Sequence, residues 1–354
     1  MKNWVEQWKK ERGKAAENLP RDYFAYGLGI GMRIPKNIQN KIKTSGYKKS
    51  SVFSKTGLAG IISFDEICKK KKLKNISQNL FNRASLSLDK NFYYASAAAN
   101  ISSVDSVISD GISDEITIKN FVSGKISDVL IIIAQNNSKL FIDDIITGKD
   151  TNALAARLVF CFADKGSRIV YTSKTSNNLN SFGCLIGVAG KNSSIVCVDK
   201  NKSSFAQYNR RVVLSDEGAS FKSALFLQVK NGLHDYSYEA IHEASHTDSL
   251  IRAAGTLLRG NIIFRALTKA SSDIIKSKGN QTARFMTLSK EAEIDAIPSL
   301  EIASGDMETS HSVSVSYFDD TSLWYPGSRG ISKDAAQSLL SDGLFSTLKK
   351  FVSA

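Results

Sequence analysis

The chain has 354 residues, 42% hydrophobic and 23% charged, which fits a folded globular protein and excludes disordered or collagen-like classes. It has no run of about 18 apolar residues, so no helical membrane span is expected. The opening "MKNWVEQWKKERGKAAENLP" lacks an apolar signal core, so a cytoplasmic location is expected. A net charge of +13 admits a polyanion, an acidic partner or a lysine-rich surface.

The first twenty residues predict a helix. Trp4, Trp8, Ala15 and Leu19 recur at helical spacing and Pro20 ends the pattern. Residues 21 to 110 read as a mixed, partly helical region. Within it "YGLGIGM" carries Gly27, Gly29 and Gly31, but Met32 holds the position where a dinucleotide fingerprint needs its third glycine, so a turn-rich loop is expected. The run "KKKKLKN", Lys69 to Asn75, has no interleaved aromatics. It reads as a solvated face or loop, and no specific nucleic-acid partner is expected.

From about 111 to 320 the texture is β. Short apolar runs such as "EITIKNF", "DVLIIIAQ", "ARLVFCFAD", "SIVCVDK" and "SVSVSYF" follow one another, separated by Gly, Asn, Asp, Ser and Lys. Such a series suits a sandwich, barrel, propeller or β-helix. A solenoid fits two hundred residues of irregularly repeated strand-turn units, because each coil buries its inward side chains against its neighbours. No strict period selects among these architectures. Three of the four cysteines, Cys161, Cys184 and Cys197, lie in these apolar runs and read, like Cys68, as buried thiols. From 321 to 354 the pattern is helical. Ser332 caps a helix with Ala335, Ala336, Leu339 and Leu340 on one face, Asp342-Gly343 breaks it, and Leu344, Leu348 and Phe351 form a second apolar face.

Residues 242 to 246, His242-Glu243-Ala244-Ser245-His246, spell the H-E-x-x-H of a zinc hydrolase. That chemistry needs both histidines on one helix face and a third ligand from elsewhere. The extension found in one zincin group would place Gly at 249 and His at 252, where this chain has Ser249 and Arg252, and no Glu occurs between Glu243 and Glu291. The preceding "HDYSYEAIH" alternates with period two and predicts a strand. A metallohydrolase using His242, Glu243 and His246 is one alternative function, and a β-solenoid binding module using the basic surface is another.

The segment "AEIDAIPSLEIASGDMETSHSVSVSYFDDTSLWYPGSRGISKDAAQSLLSDGLF" resembles the core of the SufB/SufD family of iron–sulfur cluster assembly scaffolds. The resemblance is carried in order by the acidic-aliphatic stretch, "GD", a "SH" dipeptide in a strand, an aromatic element, "SRGI" and a helical ending. It extends upstream over "HDYSYEAIHEASHTDSLIRAAGTLLRGNIIF", where His242 falls on a family histidine while Glu243 and His246 fall on variable positions.

Membership would imply a right-handed parallel β-helix core with helical N-terminal and C-terminal segments. It would imply a non-enzymatic scaffold that pairs with a SufB-type paralogue or with itself as a dimer. It would also imply docking of the SufC-type ABC ATPase through the C-terminal helices. On this resemblance His311 is the expected metal-ligating residue. Trp324, Tyr325, Arg329, Leu339, Leu340 and Phe345 are the candidate ATPase-docking residues, and a transient iron–sulfur cluster shared with a partner subunit is the expected cargo.

The chain departs from the family pattern at Thr309, Ser310 and Ser312 around His311 and at Ala283-Arg284 in "GNQTARFMTLS". It also has no cysteine after Cys197. Iron–sulfur sites want thiolates, so the resemblance is to the SufD-type half, with cysteine supplied by another subunit.

Overall fold

A computed structural model describes residues 3–20, 23–26, 30–33, 36, 39–40, 52–54, 60–88, 91–150, 152–176, 179–318 and 320–353. Its body is a parallel β-solenoid made of two nine-stranded sheets, with successive strands falling in alternate sheets. One sheet ends at Ala292–Ile302 and the other at Asp306–Tyr317. At the opposite end, Gly60–Ser63 and Val52–Ser54 add antiparallel edge strands. The register stacks Ser103, Asp128, Arg157, Gly183, Tyr208, Tyr236, Phe264 and Ala296 in one column. The steps between them vary from 25 to 32 residues, which is why no fixed period shows in the sequence.

The two sheets differ in what covers their outer faces. In the strand Lys125–Gln135, Leu130, Ile132 and Ala134 belong to the interior between the sheets, while Val129, Ile131 and Ile133 pack under the N-terminal helices. Burial on both faces explains the uninterrupted "DVLIIIAQ". The neighbouring Ser113–Val122 has one open face and alternates strictly between exposed and buried positions.

The helical layer is built on Asn3–Glu17, Lys71–Leu88 and Phe92–Ala99. Trp8 meets Phe81 edge-on, and Phe81 meets Phe160 of the solenoid, both at 4.8 Å between ring centroids. Arg83 forks onto Glu243 at 3.2 and 3.3 Å. The Lys69–Asn75 run straddles a helix junction and opens the helix Lys71–Leu88, with Lys69 to Lys72 exposed. In "YGLGIGM", Gly31 lies in the strand Ile30–Arg33, paired antiparallel with Tyr23–Tyr26, and Gly27 and Gly29 lie outside the described residues.

The "RG" at 259–260 has a clear structural cause. Gly260 has φ of +101°, and a Cβ there would stand 2.1 Å from the Gly232 carbonyl oxygen, so only glycine fits.

After the solenoid come the helices Asp320–Ser328 and Lys333–Ser353. Ser332 Oγ accepts from the Ala335 amide at 3.3 Å, as the capping pattern predicts. The expected break at Gly343 is absent and the helix runs through it. A helix-interior glycine costs only about 1 kcal/mol relative to alanine. Burial of Phe345 and Leu348 beside it, against Ala224, Ala254 and Phe226, outweighs that cost.

Candidate functional site

The H-E-x-x-H residues point in three directions. His242 ends the strand Gly232–His242 and faces the solenoid interior. Its Nδ1 lies 2.7 Å from Thr247 Oγ1 and its Nε2 lies 2.9 Å from Ser249 Oγ. Thr247 spends its own hydroxyl proton on the Ala244 carbonyl at 2.9 Å. Thr247 therefore accepts from Nδ1–H, and Ser249 donates to Nε2. Burial pushes the His242 pKa down to about 4, so the ring is neutral.

Glu243 points to the other side of the sheet, toward Arg83. His246 sits in the following turn at φ of +56°, exposed and 3.9 Å from Glu217. A strand end and a turn cannot present both imidazoles to one ion. Among the described residues no cluster of His, Cys, Asp or Glu is placed to hold a metal ion. The metallohydrolase alternative is not supported.

All four cysteines are buried. Burial raises the Cys184 thiol to about 12, and Cys161 and Cys197 are raised further still, so these are protonated hydrophobes rather than soft ligands.

Sequence reasoning missed the interior ion pairs. Arg157 reaches from one sheet to Asp144 of the other at 3.1 Å, and Tyr171 donates to the same carboxylate at 2.7 Å. Two coils on, Arg210 holds Asp199 at 2.6 and 3.1 Å while Tyr238 donates to it at 2.6 Å. Arg210 also lies over the Tyr208 ring, 4.6 Å from its centroid. Each constellation ties the two sheets in fixed register. Their only sequence trace is an Arg and an Asp at inward strand positions.

The end of the solenoid formed by Ala292–Ile302 and Asp306–Tyr317 leaves apolar side chains exposed. The register pairs Gly279 with Thr309, Gln281 with His311, Ala283 with Val313 and Phe285 with Val315. Ala283 and Phe285 belong to the interior cluster, so His311, Val313, Val315 and Tyr317 form the inward row of the last strand. Opposite them Ile294 and Ala296 pack against the same cluster. Among the described residues no further strand pairs beyond this one, and His311 is exposed, as are Val315 at 46% and Tyr317 at 48%. The imidazole stands in one row with Val313, Val315 and Tyr317, on a strand held by twelve residues of ladder.

The other candidate residues lie on the C-terminal helices. Trp324 and Tyr325 are exposed at 75% and 63%, and Arg329 lies 5.5 Å from the Tyr325 ring centroid. Leu339 and Leu340 project outward from Lys333–Ser353. Phe345 does not join them, because it faces the sheet 6.0 Å from Phe226 and anchors the helix. The two helices therefore expose aromatic and aliphatic side chains among polar ones, and the second is fixed to the solenoid through Phe345 and Leu348.

Comparison with known proteins gives a consistent result. Residues 116–344, well over half the chain, match the family described as "SUF system FeS cluster assembly, SufBD core domain". The chain is 28% identical over 137 residues to the iron–sulfur cluster assembly protein SufD of Escherichia coli strain K12, covering 38% of this chain and 32% of that protein. It is 23% identical over 205 residues to an iron–sulfur cluster assembly SufBD family protein of Staphylococcus epidermidis, covering 56% and 44% respectively. The similarity thus spans less than half the length of these relatives.

Proposed function

This chain belongs to the SufBD family of iron–sulfur cluster assembly proteins, and we propose that it serves as a SufD-type scaffold half in that machinery. The observation that carries the reading is the uncapped end of the solenoid. In the inward row of the last strand His311, Val315 and Tyr317 lie exposed beside half-buried Val313, on terminal strands whose outer edges invite another chain. Edge strands with an apolar face are protected in native proteins, and a second solenoid of the same family supplies a matching pair of edges.

In this reading the nascent iron–sulfur cluster is cargo held at the seam. The His311 imidazole donates one nitrogen ligand, and the thiolates come from the other subunit, since this chain has no cysteine after Cys197. The C-terminal helices present Trp324, Tyr325, Arg329, Leu339 and Leu340 to the SufC-type ATPase. Phe345 contributes by seating the helix rather than by contact. The coupling is mechanical. The Arg157–Asp144 and Arg210–Asp199 ties make the solenoid a stiff lever, so force applied at the helices reaches the seam.

The test is affinity purification of the full chain from its native cell. The reading expects an ABC-type ATPase and a cysteine-bearing SufBD paralogue in the same fraction. It expects loss of the ATPase alone for Leu339→Asp/Leu340→Asp, which leaves the Phe345 anchor in place. Retention of the ATPase by that variant overturns the docking assignment.

A further inference from the structure

The charge of the solenoid is distributed by coil in a way that its net value hides. Residues 288–317, the last coil, carry Glu291, Glu293, Asp295, Glu301, Asp306 and Glu308 against a single Lys290, in a chain of net charge +13. The coil beneath it, 259–287, is the inverse, with six Lys and Arg against one acid, Asp273. The two coils lock together through these charges. Arg259 meets Glu291 at 2.5 Å, Asn261 donates to Glu293 at 2.6 Å, Lys269 meets Glu301 at 2.7 Å and Lys278 meets Glu308 at 3.0 Å. Asn261–Glu293, Lys269–Glu301 and Lys278–Glu308 are vertical register pairs, one strand apart, and Arg259–Glu291 lies just before the first of them. Asp295 sits above Ile263, and its carboxyl is raised by partial burial and by the neighbouring Glu293.

Glu291, Glu293, Glu301 and Glu308 thus have cationic or amide partners on the side of the preceding coil. On the other side, where a further strand would stand about 4.8 Å away, no strand is found among the described residues. Glu293, Asp295, Glu301, Asp306 and Glu308 share the two last strands with Ile294, Ala296, Val313, Val315 and Tyr317, which gives the end the composition of an interface with an apolar centre and a charged rim.

What such a rim admits follows from symmetry. A second copy of this chain would meet it through a twofold axis, so each patch faces itself. Antiparallel pairing of Ala292–Ile302 with its own copy, centred on Ile297, sets Glu293 of one copy against Glu301 of the other, at both ends of the strand. Like charges directly opposite on paired strands are destabilising. A coil bearing Lys and Arg would instead continue the basic–acidic alternation that coils 259–287 and 288–317 begin.

We propose that the acidic rim of the last coil selects the occupant of the solenoid's open end, admitting a β-solenoid chain whose own terminal coil is basic and rejecting a second copy of this chain. This rests on the reading of that end as a pairing seam and adds the chemistry of the partner. Rim charges act mainly through association rate and through rejection of wrong partners, so the selection weakens with salt.

The experiment uses the full chain and a charge-reversed form, Glu293→Lys/Asp295→Lys/Glu301→Lys/Glu308→Lys, with circular dichroism to establish that the variant is folded. Sedimentation measures each alone and the two mixed, at about 50 mM and about 500 mM salt, because screening of exposed charges differs widely between these strengths. The mixture is expected to associate at least about tenfold more tightly than either chain alone at low salt, with the difference shrinking at high salt. Self-association of the unmodified chain as tight as that of the mixture, a salt-independent difference, or no association in the mixture overturns the proposal. Val315→Asp in both chains separates the two layers of argument. Loss of the mixed pair places it at the open end, whereas a mixed pair that survives removes the seam itself and not merely its charge selectivity.

Discussion

Arg210→Met tests whether the interior ion pairs hold the two sheets together. Arg210 and Asp199 are both almost fully buried, at 1% and 3% exposure, and Asp199 accepts from two guanidinium nitrogens and from the Tyr238 hydroxyl. Methionine replaces the aliphatic stem but strands the carboxylate between the sheets with one remaining donor. Removing one partner of a buried pair costs about 3 to 5 kcal/mol because the other charge stays desolvated. That is a large part of the ~5 to 15 kcal/mol that stabilises a typical domain. The triple variant Arg210→Met/Asp199→Leu/Tyr238→Phe removes the stranded charge and the orphaned hydroxyl together, and should recover most of the loss. Urea unfolding followed by far-ultraviolet circular dichroism provides both numbers. A single variant within about 1 kcal/mol of the parent, or a triple variant no better than the single, would refute the assignment of Asp199 as a charged, desolvated group.

Acid stability gives a second test. His234 and His242 are buried, with pKa values lowered to about 4 from 6.5, so the unfolded chain binds their protons first as pH falls. Their contribution is complete above about pH 6.5 and is lost between there and about pH 4, by roughly 3 kcal/mol each. Asp235, raised to about 6 by burial, acts in the opposite sense below that pH. His242→Gln should flatten the acid limb of stability against pH, and an unchanged limb would contradict the neutral, doubly bonded ring. Phe345→Ala should cost about 3 to 5 kcal/mol locally, seen as faster amide exchange across Lys333–Ser353 with the solenoid core unchanged. His246→Ala should leave stability within about 0.5 kcal/mol, since its side chain is an exposed turn residue, and metal analysis of parent and variant should show no difference in zinc content.

Much of the fold is legible in the residues. The period-two pattern of "HDYSYEAIH" is the strand Gly232–His242, and that alone removes the helix a zinc site requires. The same alternation in "TSHSVSVSY" puts His311 in the row of Val313, Val315 and Tyr317. What the residues do not carry is context. His311 is exposed only because its strand is the last, and coil lengths vary enough to hide that position. Gly343 signals a break that tertiary burial of Phe345 overrides. The Arg210–Asp199 pair spans two sheets, so no local pattern announces it. Phe345 and Leu340 look equivalent in the sequence, and only the sheet beneath the helix separates the anchor from the outward-facing residue.

A SufD-type role requires that the solenoid end be a seam between chains. A photo-reactive amino acid in place of His311, activated in the native cell, tests this most directly, with the same group at Lys119 on the distant first coil as the control. The account predicts a crosslink from position 311 to a second SufBD-family chain and none from position 119. Crosslinks from 311 that stay within its own chain, or the same products from both positions, would contradict it.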